Sequence, residues 1–431
     1  MPRRLSLKSV ASKVNQARSD HAERHRATGL QFALADDIDF LNSAAWDQVT
    51  RDASIFMSRD YLRALRDAGP KEISSRLCLI FQQGQPLAAL ACQRLTLSGQ
   101  RLVGNSDDGQ RGDSDGEETR HGLRQRARRL LSNVGRRAAG GMTRRILLCG
   151  NLLSWGNHGL AFADGAEEQR LWPAVAEALY RLRSAERLVG KTDYLLIKDL
   201  PAAKSQSHAA LRRFSYRCVE TDPDMVLEIA TSWRHFDDYL ASLTSKYRGS
   251  ARKIASTIEA AGWRLEQLSD LAPVADPLWR LYLNVHQRAA VKPVTAPATY
   301  LPALAQALGP TRFRCTVLRR GDELAGFVTS IKDRDMSVGY LIGLDYRVNE
   351  ELPVYFRLLQ ATIADAIALG CRRLSLGRTA LEPKAKLGAK PVPLTVWLRH
   401  RHPLKNLVIR PVLSAIAHNE APERHVMKEV E

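Results

Sequence analysis

The sequence predicts an α/β protein with a mixed sheet, built from two tandem copies of one unit joined by a long basic helix. Three observations predict it. A hairpin signature occurs twice, as Gln83-Gly84-Gln85-Pro86-Leu87-Ala88 and as Arg320-Gly321-Asp322-Glu323-Leu324-Ala325. Each hairpin leads on to a strand, a helix and a buried strand in the same order. Between the two series lies an amphipathic stretch from Phe236 to Ala261, rich in Lys and Arg (Lys246, Arg248, Arg252, Lys253).

The elements follow in chain order. Residues 1–34 hold many Lys and Arg but no apolar core segment, and read as a disordered basic arm. Order is expected from about Asp36, and the first unit over 35–222. Trp46 to Ala68 carries apolar residues at helical spacing and stops at Gly69-Pro70. Leu77–Phe81 and Leu87–Leu97 flank a turn and form a hairpin. Residues 105–145 read as an insertion: polar and acidic at first, then nine arginines and no acid from Arg120 to Arg145. Its leucines fall on one helical face, which suits an anionic membrane surface or a solvated helix. Ile146 to Cys149 is a strand into the glycine-rich run Gly150-Asn151 to His158-Gly159. Glu167 to Leu188 is a helix and Tyr194 to Ile197 a buried strand. Asp222-Pro223 breaks the chain, and the second unit is expected over 223–415. It holds the basic helix, a helix Trp279–Ala290, a hairpin Phe313–Arg319 with Glu323–Ile331, a strand Met336–Leu344, a helix Pro353–Leu369 and a strand Arg372–Leu376. Residues 416–431 form a tail.

A length of 431 residues suits two or three domains. The formal charge of +18 favours an anionic partner: nucleic acid, a membrane face or a phosphorylated molecule. Aromatics make up only 6%, which weakens the case for stacking on single strands. The six cysteines stand far apart and form no CxxC pair, so buried thiols in a reducing compartment are expected rather than a metal site. No apolar run reaches the about 18 residues of a membrane span. The expected location is the cytoplasm, with contact to the inner membrane face.

A strand that feeds a helix N-terminus across a short loop offers free backbone N–H groups to an anion. Residues 336–376 have that order. Beyond them stands Leu376-Gly377-Arg378-Thr379-Ala380-Leu381-Glu382-Pro383-Lys384-Ala385-Lys386-Leu387-Gly388-Ala389. This segment resembles one found in bacterial two-unit GNAT acyltransferases, which are similar to the Fem-type peptidoglycan aminoacyl transferases. The helix with His286 and Arg288 also resembles an element of that group. One departure is plain: the glycine loop before the GNAT cofactor helix is replaced by Tyr346-Arg347-Val348-Asn349-Glu350-Glu351-Leu352-Pro353.

The resemblance implies acyl transfer from an acyl-CoA, acetyl-CoA included, to an amine or hydroxyl of a cell-envelope or lipid-linked acceptor. No metal is called for. Such transfer needs a base, oxyanion donors and a proton for the leaving thiolate. Asp345, Tyr340 and His286 are the catalytic candidates. Their ordinary readings are helix cap, strand core and structural histidine. Arg347, Arg378, Thr379, Lys384 and Lys386 are the cofactor-binding candidates, with solubility as the alternative for the lysines. The run from Lys384 to Arg410, with His400 and His402, reads as a one-signed landing strip for a phosphate or anionic headgroup. His158 is a lesser candidate contact. Two other readings stand beside this one: a Fem-type transferase using aminoacyl-tRNA, and a non-enzymatic adaptor for membrane or nucleic acid on the same scaffold.

Overall fold

In the computed structural model of the chain, which describes residues 26–98, 143–289, 292–406 and 424–428, one sheet runs through both units. The first unit contributes β1 (Gln31–Ala35), β2 (Ser74–Gln82), β3 (Gln85–Ser98), β4 (Thr143–Cys149), β5 (Leu160–Phe162), β6 (Tyr194–Pro201) and β7 (Arg217–Glu228). The second contributes β8 (Arg264–Leu268), β9 (Phe313–Arg320), β10 (Glu323–Asp333), β11 (Met336–Leu344), β12 (Arg373–Ser375) and β13 (Lys390–His400). The order across the sheet is β1-β2-β3-β4-β6-β13-β7-β12-β11-β10-β9-β8, with β5 on β3.

That order is a palindrome of the duplication. β1 to β4 and β6 correspond to β8 to β12, and in each unit one parallel pair (β4 with β6, β11 with β12) interrupts antiparallel neighbours. The last strands, β7 and β13, are exchanged. β7 pairs with β12 of the second unit, β13 with β6 of the first, and the two pair with each other at the centre. The Asp222-Pro223 break is therefore corrected. β7 runs through it, and the register of β7 against β13 shifts between Thr221 and Asp224. A bulge accommodates a proline that cannot donate to the ladder.

Helices cover both faces. On one lie α1 (Ser43–Thr50) and α2 (Arg59–Ala68) of the first unit, with α6 (Ala275–Arg288) and α7 (Tyr300–Leu308) of the second. Trp46, Phe56, Tyr61, Leu278, Tyr300 and Leu304 share one core there, so apolar burial welds the units together. On the other face α3 (Glu168–Ala185) packs on the first unit. The pair α4 (Phe236–Ser242) and α5 (Ser245–Ala260), with α9 (Val354–Ala368), packs on the second. Two short helices complete the unit: α8 (Tyr346–Glu351) between β11 and α9, and α10 (Leu381–Ala385) after β12.

Several expectations change. Order begins earlier than Asp36, because β1 pairs with β2 from Gln31. The helix expected over Trp46–Ala68 is two helices, restarted where the Ser58 side chain accepts from Tyr61 N–H. The long basic linker helix is broken at Leu243-Thr244, neither of them helical. There the chain takes up Arg424–Lys428: Leu243 bridges Met427, Thr244 N–H donates to Val426 O at 3.0 Å, and Val426 is buried. Part of the expected tail is thus a packed segment. The landing strip from Lys384 is overturned over Lys390–His400, which form the central strand β13 with His400 buried. The arm up to residue 25 lies outside the described residues, as does the Arg-rich helix up to residue 142. Residues 143–145 begin β4.

Candidate active site

β11 and β12 pair only from Met336↔Arg373 to Val338↔Ser375 and then part. A bulge on β11 helps to part them. Val328 faces Ile342 and Ser330 faces Gly339, so Tyr340 and Leu341 together oppose Thr329. The Thr329 hydroxyl holds the bulge, accepting from Leu341 N–H at 2.9 Å and donating to Leu341 O at 3.2 Å. Thr329→Val keeps the shape but strips both bonds in a fully buried place. We expect a loss of about 1–3 kcal/mol in urea unfolding, and an unchanged midpoint would refute the role of the hydroxyl.

The gap opens into a cavity of about 960 Å³. α9 walls one side with Tyr355, Phe356, Leu359 and Thr362, and α6 another with Tyr282, Val285 and His286. One open side lies at the start of α9, beside Asn349 and the exposed Glu350 and Glu351. The expected anion cradle there is already occupied. Asn349 Oδ1 accepts from Tyr355 N–H at 2.8 Å, Val354 N–H turns back to Leu352 O at 2.7 Å, and Pro353 has no N–H. Two carboxylates at this open side repel a pyrophosphate further.

The inner end is polar and comes from both units. Lys198 and Asp199 sit on a β6 bulge, with Asp199 left-handed at φ +55° and fully buried. Lys198 Nζ donates to Asp199 and to Ser154 O, and Arg378 reaches Asp199 at 2.9 Å and Asp222 O at 3.0 Å. Burial pushes the Asp199 carboxyl up, but Lys198 and Arg378 outweigh it and hold it below its ordinary value. Trp155 Nε1–H donates to Ser375 Oγ at 2.6 Å, and that hydroxyl donates to Asp224. Nearby, Ser154 Oγ lies 2.7 Å from His158 Nδ1, and His158 Nε2 lies 3.5 Å from Asp333, which also accepts from Ile55 N–H. This buried chain ties the loop 150–159 to β10.

Tyr340, His286, Arg378, Thr379 and Lys384 all line the cavity. The Tyr340 hydroxyl meets Tyr300 at 2.7 Å, and burial pushes its phenol up. His286 has both nitrogens engaged, Nδ1 with Tyr282 at 3.3 Å and Nε2 with Thr295 at 3.0 Å, and burial lowers its pKa. Lys384 is only 3% exposed. No hydrogen bond or ion pair reaches its ammonium from the described residues. Burial lowers it to about 8 against the pull of Asp224.

Asp345, Arg347 and Lys386 are not brought to the cavity. Asp345 caps α8 and pairs with Arg347 at 2.9 Å in a separate surface hollow, so its carboxyl is held below the ordinary range. Arg347 is 90% exposed. Lys386 faces Glu382 at 3.7 Å, half exposed. Sequence reasoning missed Lys198 and Asp199. Their signal was a charged pair inside the apolar run Tyr194-Leu195-Leu196-Ile197-Lys198-Asp199-Leu200.

Residues 244–385, which hold most of this cavity, match the family described as an acetyltransferase (GNAT) domain. The crystal structure of FemX superposes with a TM-score of 0.50 at 9% identity, covering 88% of this chain and 99% of that one. A tandem GNAT protein from the clavulanic acid biosynthesis pathway superposes at 0.46 with 13% identity, covering 87% and 99%. A putative 8-amino-7-oxononanoate synthase 2 of Mycobacterium tuberculosis is 26% identical over 275 residues, 61% of this chain. The match spans about a third, 34%, of that relative's length. Residues 244–385 thus match the acetyltransferase (GNAT) domain family, in a chain that shares the fold of FemX.

Proposed function

We propose that the chain transfers an acyl group from a thioester of the acyl-CoA type to an amine, with a hydroxyl as the lesser acceptor, on a cell-envelope or lipid-linked compound. The observation that carries this reading is the cavity between the parted β11 and β12. It has an apolar middle for an acyl chain and a polar inner end reached from both units. Tyr340 and His286 stand at the wall where the carbonyl would lie. Arg378, Thr379 and Lys384 stand beyond it.

A second reading, an aminoacyl-tRNA donor, is favoured by the open side at the start of α9. An aminoacyl ester lays no pyrophosphate against the Asn349 cap or the two glutamates. In either case catalysis would come chiefly from positioning and from donors aimed at the developing oxyanion.

Thermal unfolding with acetyl-CoA, octanoyl-CoA and charged tRNA separates the readings. A native-state ligand at 100 times its Kd adds about 2.7 kcal/mol. We expect a thioester to raise Tm, and to release free CoA when an amine is added. A response to tRNA alone moves the assignment to the second reading. No response to any of them, with binding to anionic vesicles retained, supports the adaptor instead.

A further inference from the structure

We propose that the inner end of the cavity is a carboxylate-binding subsite in which Lys384 receives a monoanionic group of the substrate. This rests on the cavity being the substrate site, as proposed above, and names what the inner end selects.

The first ground is that the Lys384 ammonium has no hydrogen-bond or close ion-pair partner among the described residues and feels only the more distant carboxyl of Asp224. Its side chain is 3% exposed and lines the cavity. Burying a charge without a close partner is costly, so such a group is retained where a ligand completes it. The second ground is the charge around it. Lys198 and Arg378 share the single carboxylate of Asp199. The Asp224 carboxyl is engaged by the Ser375 hydroxyl and by Gly377 N–H at 3.1 Å, with Lys384 beyond ion-pair reach. Among these named groups three cations face two carboxyls, a balance that suits a carboxylate better than a phosphate dianion. The third ground is position. Glu350 and Glu351 stand at the open side beside α9 and the aromatic and aliphatic wall lies between. An anion is therefore repelled at the end of the cavity beside α9 and favoured at the end beside Lys384.

The chemistry admits two sources. The carboxylate is either the distal end of an ω-carboxyacyl group on the donor or the carboxylate of an amino acid acceptor. The subsite gives the same recognition to both.

The first test needs no turnover. The full chain is titrated calorimetrically with octanoate and with octanamide at pH 7. Octanoate should bind at least about tenfold more tightly, the least that a hydrogen bond to a charged group provides. Lys384→Met keeps the stem and removes the charge, and should bring the two affinities to parity. Lys384→Arg should keep a preference, and the Tm of each variant shows whether it folds. The preference should also fade above pH about 8, where the buried ammonium loses its proton. His286 and the buried tyrosines of the wall carry no charge there. Equal affinities in the wild type overturn the proposal, as does a preference that survives in Lys384→Met. If octanoate is preferred but no thioester is ever turned over, the subsite stands and the acyltransfer reading falls.

The second arm separates the sources. CoA release is compared for glutaryl-CoA against pentanoyl-CoA, and for glycine against glycinamide as acceptor. A carboxylate preference within the first pair places the anion on the acyl group, and within the second pair on the acceptor. Transfer that proceeds with no preference in either pair overturns the proposal as well.

Discussion

Asp199→Asn should cost about 3–5 kcal/mol of stability, although it changes one atom. The substitution keeps the shape, and asparagine tolerates the left-handed backbone that Asp199 adopts at φ +55°. What it removes is the carboxylate that pairs with both Lys198 and Arg378. Lys198 then loses its paired carboxylate in the interior and keeps only Ser154 O and the more distant Asp224, and leaving one partner of a buried pair alone costs in this range. Guanidinium denaturation reads the loss directly. Adding Arg378→Met to Asp199→Asn should recover part of it, because one of the two stranded charges is gone. A loss below about 1 kcal/mol would show that the cluster is hydrated and carries little energy. The wild type should show the same dependence through pH. Asp199 has its folded-state pKa depressed below the ordinary carboxylate value. Its contribution is therefore complete above the unfolded-state pKa and is lost as pH falls through the lower folded value.

Gly159→Ala should be more damaging still. A Cβ there would lie 2.1 Å from Gly150 N, 2.4 Å from Gly150 Cα and 2.8 Å from Ala91 O. All three are backbone atoms, so no side chain can swing aside. The contacts belong to a tight joint in which Ala91 N–H donates to Gly159 O at 2.9 Å and Gly150 N–H donates to Ala91 O at 3.1 Å. Overpacking a core usually costs about 1–3 kcal/mol, and a backbone clash should exceed it. Soluble yield and Tm report the effect. Gly249→Ala serves as the control. It lies in α5 with nothing within 4 Å of the added carbon, and should stabilise by about 0.4–1 kcal/mol. A Gly159→Ala protein that melts with the wild type would mean that the joint opens without penalty.

Much of the second unit was legible in the chain. The hairpin at Arg320-Gly321-Asp322, the strand Met336–Leu344 and the helix that follows it have strong local signals, turn residues and a single period each. Thr379 and Lys384, which line the cavity, were singled out through a short segment rather than through any local rule. The errors have physical causes. Periodicity over Phe236–Ala261 reads as one helix, because the break at Leu243-Thr244 is made by residues 424–428, far away in sequence. Asp345 looked like a base because strand ends in α/β sheets often meet ligands. Local chemistry won, and the carboxylate caps its own helix. β13 was hidden because its basic residues suggested surface, whereas Trp397 and Leu398 in the same run are buried. Nothing in the linear sequence tells a strand that it will pair in the other copy's half.

The exchanged last strands have a consequence for synthesis. β6 ends at Pro201 and its neighbour β13 begins at Lys390, 189 positions later. At about 5–20 residues per second, the ribosome needs about 10–40 s to deliver it. Through that interval β6 and β7 have no strand between them, and Leu195, Ile197 and Val219 lie on open edges that invite other chains. The interior cations and carboxylates of the cleft are split across the same gap. Lys198 and Asp199 are on one bank and Asp224 on the other, with Arg378 and Lys384 just downstream of β12, itself paired with β7. A message truncated after codon 389 would encode the whole of the acetyltransferase match at 244–385 and still leave these groups unassembled. The last strand to emerge closes the chemistry of the molecule as well as its sheet.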